Sequence, residues 1–403
     1  MLPIFLVTGP AIPDITISIL ALYFILKTII NRDLTYYKNL FVILVFIFCL
    51  YGVLRSLFSE MPITSLTNEG SVFYFRYIFF ILSAWYLLNQ NQNLTICFFT
   101  ILILLIILIT IDGYLQYFTG FNILDYKKYD EYRLTGFFRD EPIIGRYLSY
   151  VTPIVIALAY SIFQIKSKTI FFTVLMLIFV EILIFLSGER VAFFYILLFS
   201  LGLIIFIPEF RFIRAIGVVL SAILLILILF IVPSAKHRMI DETINQIQQV
   251  DVPYLPYNLH HQKLYKTSYN MFKDNPIFGK GTNLFRDLCR VYNKENIKYC
   301  SNHPHNFIFQ LLAEQGIVGL FFYLTFYLYF LFKSLRELLL IFKKGHKYEG
   351  NQIANIFLLI ILILWWPIIP HMSFYNNWNN VLLMLPIIFY LHYNYNIKSD
   401  KNV

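Results

Sequence analysis

Charge is scarce in this sequence: 14% of its residues are Asp, Glu, Lys or Arg, well below the ~25% of an ordinary soluble domain. That shortage argues against a water-soluble globular fold. Cysteine is nearly absent, with four in 403 residues. Cys49 and Cys97 fall inside apolar runs and read as small core residues. Cys289 and Cys300 fall in a long polar loop, and no spacing resembles a zinc site. A basic leader is missing too. The first residues carry no basic n-region, and Pro10 and Pro13 interrupt the opening apolar stretch, which argues against a cleavable signal peptide and against export as a soluble protein. No internal repeat or low-complexity stretch stands out. No Walker pattern follows Gly279-Lys280-Gly281, so that glycine pair is not a nucleotide loop. No carboxylate-rich metal site is visible.

What the chain does have is hydrocarbon. Hydrophobic residues make up 59%, with 42 Phe and 30 Tyr, and mean hydropathy is +0.68. Apolar runs fill most of the sequence, which predicts an all-α polytopic membrane protein. Spans are expected at 12–30, 40–58, 71–88, 94–111, 145–163, 169–187, 191–207, 214–232, 305–333, 352–370 and 380–397, and residues 1–11 read as a shortened or re-entrant further segment. About 11–12 transmembrane helices follow, forming a single transmembrane domain over 1–403 with a large loop, 233–304, inserted between helices. The short loops alternate in charge. Arg32, Lys38, Lys166, Lys168, Arg211, Arg214, Lys343, Lys344, Lys347, Lys398 and Lys401 fall on one side, which marks it as cytoplasmic. The other side carries the 59–70 loop, with Glu60 and Glu69, then 112–144 and 233–304. This rule absorbs much of the +9 net charge, so nucleic acid is not an expected partner, whereas membrane lipid is.

The long loop ends in His303-Pro304-His305-Asn306, where chain leaves water for hydrocarbon. Pro304 bars a helix before it, so helix onset is expected just after, with Asn306 as N-cap. At 100° per residue, Gly316 and Gly319 fall at roughly +20° and −40° from His305, on one face that would admit a neighbouring helix. Glu314 falls opposite, which argues against it as the histidine's partner. Upstream, LHHQKLYKTSYNMFKD reads as an amphipathic helix ended by Asn275-Pro276, with Leu264, Tyr265, Tyr269 and Phe272 on a packing face. Cys289 and Cys300, in an oxidising compartment by this topology, are expected to form a disulfide.

His305-Asn306, nine residues, Gly316, two residues and Gly319 resemble the signature of the bacterial O-antigen ligase and O-antigen polymerase superfamily. Two further segments add to the resemblance. One is Ser187-Gly188-Glu189-Arg190, a turn that in the superfamily supplies an active-site arginine. The other runs from Arg133 through Gly136 and Phe138 to Arg139-Asp140-Glu141-Pro142, with Glu141-Pro142 where the family usually has Asn-Pro. A third, Asp274-Asn275-Pro276-Ile277-Phe278-Gly279-Lys280-Gly281, matches the family's turn, but His261 stands where an arginine is usual. The resemblance implies a glycosyltransferase C-like fold and transfer of a glycan from undecaprenyl diphosphate to an acceptor hydroxyl, with inversion and without metal or other cofactor. The site would face the periplasm from the inner membrane. Lipid A–core as acceptor makes a ligase; a lipid-linked glycan acceptor makes a polymerase, and a protein acceptor is a third variant. Because the superfamily usually keeps both termini in the cytoplasm, Met1–Pro10 would be a remnant of its first helix.

In this reading His305 is the catalytic histidine, kept neutral at the positive end of a helix, while His303 points elsewhere. The alternative is that His305 only caps the helix. Arg190, Arg139 and Arg146 would bind the donor diphosphate, with His261, Lys263 or Arg286 replacing the missing arginine. Guanidinium forks suit phosphate oxygens and stay charged as the leaving group gathers charge. The bland alternatives are a Glu189–Arg190 or Glu181–Arg190 pair, and a surface cluster of Arg139 and Arg146 with Asp140 and Glu141. A transporter of lipid-linked sugars would also have many spans, but it should show inverted repeats and midplane charges.

Overall fold

The computed structural model describes residues 1–248, 258–345 and 348–395. Lys347, Lys398 and Lys401, counted above on the cytoplasmic side, lie outside the described residues, as do 249–257 of the long loop. The chain is an all-α, multi-pass membrane protein. Among the described residues no strand forms beyond an isolated bridge between Phe121 and Lys127. A short α1 (Leu2–Thr8) precedes α2 (Ala11–Asn31), α3 (Leu40–Leu57), α4 (Pro62–Thr67), α5 (Phe75–Gln90), α6 (Asn93–Thr119), α7 (Ile144–Phe163), α8 (Ser167–Leu186), α9 (Arg190–Phe206) and α10 (Arg211–Ile231). The large loop folds into α11 (Pro233–Lys236), α12 (Glu242–Gln248), α13 (Leu259–Asp274) and α14 (Phe285–Tyr292), and the chain closes with α15 (Phe307–Lys344), α16 (Gln352–Leu364) and α17 (Asn377–Asn394).

Each of the eleven expected spans corresponds to a helix, with boundaries set by local chemistry. Among the described residues, eight helical stretches, counting Pro62–Gln90 (α4 and α5) as one, are long and apolar enough to cross a membrane, while α9 and α16 are apolar but shorter. The expected 352–370 span stops at Leu364, because Pro367 and Pro370 cannot continue a helix. The expected 94–111 span instead runs on to Thr119 and ends at left-handed Gly120. The re-entrant or shortened first segment is α1, which rises only about 10 Å and is tied down by Trp378 Nε1 donating to the Leu6 carbonyl at 2.8 Å. Asparagine side chains cap α3, α13, α15, α16 and α17. Nearly all of α7, α16 and α17 is buried, so these form the centre. The apolar outer faces of α2, α6 and α10 stay exposed to lipid.

One helix is broken. Gly316 in α15 has φ 66° and ψ −162°, which frees backbone groups on both sides of it. The 274–281 turn takes them up. Lys280 N donates to Ala313 O at 2.9 Å, Gly281 N to Glu314 O at 2.9 Å, and Ile317 N to Pro276 O at 2.9 Å. The expected face shared by His305, Gly316 and Gly319 therefore does not exist: His305 precedes the helix and Gly316 interrupts it. What comes close to Gly316 is backbone and not another helix. A Cβ there would overlap the Ile277 carbonyl, and one at Gly319 would meet the side chain of Gln315.

The lobe packs on the outer piece of α15 through Leu264, Met271, Leu284, Phe285, Cys289 and Ala313, and the Tyr265 ring stacks on Phe309 at 4.2 Å. The packing face expected for α13 is split, since Leu264 and Tyr265 are buried and Tyr269 is exposed. Cys289 and Cys300 are joined by a disulfide, with Cα atoms 5.8 Å apart, in the approach to His305.

Candidate active site

Two turns, the helical segment that follows α10, and α13 of the lobe meet around a cavity of about 380 Å³. The first turn is Ser187-Gly188-Glu189, between α8 and α9. Gly188 is left-handed (φ 73°), and a Cβ would lie 2.6 Å from the Tyr132 carbonyl, so only glycine fits. This places Arg190 at the start of α9 and turns the Glu189 carboxylate under α7, where it accepts from Gly145 N at 2.6 Å and Arg146 N at 3.1 Å. The second is the segment before α7. Arg133 is held by the Pro142 carbonyl at 3.1 Å, and Arg146 follows in the first turn of the helix. In the helical segment beyond α10, Arg238 donates to the Gly188 carbonyl at 3.3 Å and pairs with Glu242. Arg133, Arg146, Arg190 and Arg238 all line the cavity, together with His261, His305 and His371.

Charge is unbalanced in this space. Arg190 spends its hydrogen bonds on Glu242 at 3.2 Å and Gln246 at 2.8 Å. Neither pair expected under its bland reading forms: Glu189 caps α7, and Glu181 takes the hydroxyls of Ser200 and Ser221. The guanidinium of Arg146 makes no hydrogen bond or ion pair among the described residues, and its Nε is buried and unpartnered. Burial, the largest cause, pushes the Glu189 carboxyl up to about 7 despite Arg146 and the backbone donors. Near neutrality the cavity is therefore strongly cationic, suited to an anion with several oxygens.

The histidines His261, His303 and His305 are held below the ordinary imidazole range. Burial, then His303 and His261 as like-charge neighbours, holds His305 down to about 2. Burial likewise lowers His261 to about 4, with His260 adding to it, and His303 to about 4, with Arg146 adding to it. The neutral state of His305 thus has desolvation as its main cause, in place of the helix dipole. Its backbone is left-handed (φ 60°), an uncommon conformation for a side-chain-bearing residue. Ser301 Oγ lies 3.4 Å from its Nε2, and its carbonyl accepts from His371 N at 2.8 Å. The His303 ring does not point elsewhere: it lies 4.1 Å from that of His305. Capping of α15 is done by Asn306, which accepts from Ile308 N at 2.9 Å.

The structure brings together His305, Arg146, Arg190 and His261. It leaves Arg139 and Arg286 exposed and outside the cavity lining, and Lys263 outside it as well. His261 approaches the His305 ring at 5.4 Å, so the histidine at the usual arginine position does reach the site. Sequence reasoning passed over Arg133 as a ligand although it opens the quoted motif. It also missed Arg238, Glu189 as a cap, and His371. The signal for His371 was its place in a proline-rich outer turn, between Pro370 and α17.

No group of three or more His, Cys, Asp or Glu among the described residues is placed to hold a metal. Residues 171–324 match the family model described as O-antigen ligase. The matched stretch holds Arg190, Arg238, His261, His305, Gly316 and Gly319, while Arg133 and Arg146 precede it. No curated protein matches the chain.

Proposed function

We propose that this chain, a member of the O-antigen ligase and O-antigen polymerase superfamily, moves a glycan from undecaprenyl diphosphate to a hydroxyl of lipid A–core. The reaction is assigned to the periplasmic face of the bacterial inner membrane, with 233–304 as an inserted periplasmic lobe. The observation that carries the reading is the four-arginine cavity, which His305 also lines and in which Arg146 has no protein partner among the described residues.

A donor diphosphate would take its oxygens to Arg146 and Arg190, with Arg133 and Arg238 close behind. The acceptor oxygen attacks the anomeric carbon as the bond from that carbon to the diphosphate oxygen breaks. The electron pair leaves with the diphosphate, where fixed guanidiniums meet the growing charge. His305 takes the proton released by the acceptor hydroxyl. A histidine held near 2 is a weak base, and the arriving diphosphate corrects this by bringing negative charge beside it, which favours the imidazolium. Such general-base help is worth about 10²–10⁴-fold. The leaving diphosphate supplies the driving energy, so no nucleotide is required.

Deleting the gene and separating the host's lipopolysaccharide on a gel tests the reading. Loss of all polymer from lipid A–core is expected. Lipid A–core bearing a single repeat would make the protein a polymerase instead, and unchanged lipopolysaccharide would assign it to another glycan.

A further inference from the structure

The tip of the 274–281 turn is apolar and uncovered. Ile277 and Phe278 are each more than half exposed, as are Phe58 and Ile63 beside α3 and Ile317 and Phe321 on α15. Contacts draw these segments together, and α4 joins them through Ser65, whose hydroxyl meets Ser56 Oγ at 2.8 Å and the Thr282 carbonyl at 2.9 Å. Val318 N donates to the Ile277 carbonyl at 3.3 Å, and Arg55 bridges the Phe58 and Gly279 carbonyls at 2.7 Å each. A charged rim borders the patch: Lys280 pairs with Glu60 at 2.7 Å and lies 3.5 Å from Asp274.

Two helices measure the height of this patch from a common inner level. Tyr395 accepts from Lys333 at 3.0 Å, and Phe41 at the start of α3 meets Phe330 of α15 with ring centroids 5.7 Å apart, so α15 and α3 share that level. At about 1.5 Å per residue, α3 rises about 28 Å from Asn39 to Phe58, and α15 about 24 Å from Lys333 to Ile317. Both rulers end at the same turn, just short of the ~30 Å hydrocarbon thickness. The whole of α15, about 57 Å long, is far too long for that layer, and Gly316 divides it at this height.

We infer that the 274–281 turn is an interfacial foot: Ile277 and Phe278, with Phe58, Ile63, Ile317 and Phe321, sit among the acyl chains of the outer leaflet. The bilayer surface then lies at the Gly316 break. The outer piece of α15, with buried Gln310, Glu314 and Gln315, stands in the lobe above the hydrocarbon, where its polar partners are. The charged rim meets the headgroups, as in other interfacial segments. This inference rests on helix lengths and exposed surface and is independent of the reaction proposed above.

The test uses the full chain in phospholipid vesicles, with Cys49 and Cys97 replaced by alanine and the Cys289–Cys300 disulfide kept. An environment-sensitive fluorophore is attached at Phe278→Cys or Ile277→Cys, and at Lys273→Cys on the same lobe. Acyl-brominated lipid is expected to quench the first two at least two-fold while aqueous iodide has little effect, and Lys273→Cys should behave in reverse. Iodide quenching at Phe278→Cys equal to that at Lys273→Cys would overturn the inference. So would shielding of both turn positions from both quenchers, which would give the patch to a protein neighbour.

Discussion

His371 donates its backbone N–H to the carbonyl of His305 at 2.8 Å, and its own ring stacks on Phe307 at 4.1 Å. A loop between the last two helices therefore fixes the residue that leads into α15. The His371 ring also bonds the Tyr195 hydroxyl at 3.1 Å and the Trp366 carbonyl at 2.9 Å. His371→Ala leaves a cavity and unpaired polar groups, and should cost about 2–4 kcal/mol. Thermal unfolding in detergent should show the loss, with His371→Phe keeping more stability because it retains the stack.

Gly316→Ala is expected to be among the most damaging single-methyl changes in the chain. The residue is left-handed, and its Cβ would collide with the Ile277 carbonyl and lie 2.7 Å from Gly279 N. A loss of about 3 kcal/mol or more is expected. Gly345→Ala, also left-handed but with open space around it, should cost only about 1 kcal/mol. Comparing their melting temperatures separates collision from backbone strain.

Arg146 and Arg139 make a matched pair for donor binding. Arg146 lines the cavity unpaired, whereas Arg139 is exposed outside it. Loss of a charge-assisted hydrogen bond worth about 1.5–3 kcal/mol should weaken undecaprenyl diphosphate binding by about 10- to 100-fold in Arg146→Ala. Arg139→Ala should bind like the parent in a titration of the purified protein.

The site also makes stability depend on pH. His261, His303 and His305 are held below their ordinary 6.5, so below 6.5 the unfolded chain binds protons that the folded chain refuses. Stability from these groups is present above 6.5 and lost as pH falls through it. Glu189 acts oppositely: raised from 4.5 to about 7, its contribution is present below 4.5 and lost as pH rises to about 7. The melting temperature should fall between pH 7 and pH 5, and Glu189→Gln should steepen the fall. A flat profile in both proteins would contradict this.

Much of the fold was readable because membrane helices announce themselves by length and apolarity, and Asn306 and Pro304 marked the start of α15 by local rules. The Gly316 break was not readable, since a glycine within an apolar run is compatible with an unbroken helix. Only the turn at Pro276–Gly281, some 40 residues earlier, supplies the backbone partners that make a break affordable. The site divides in the same way. Arg190 and His305 lie in compact local patterns, but Arg238 and His371 reach the cavity only through the packing of segments distant in sequence.

The central claim is that His305 takes the proton while arginines hold the donor. Purified protein given an undecaprenyl diphosphate-linked glycan and lipid A–core measures it most directly, by following release of undecaprenyl diphosphate. His305→Ala should bind donor like the parent and lose turnover by about 10²-fold or more, while Arg190→Ala should weaken donor binding as well. Turnover of His305→Ala within a few-fold of the parent, with His303→Ala inactive, would contradict the account.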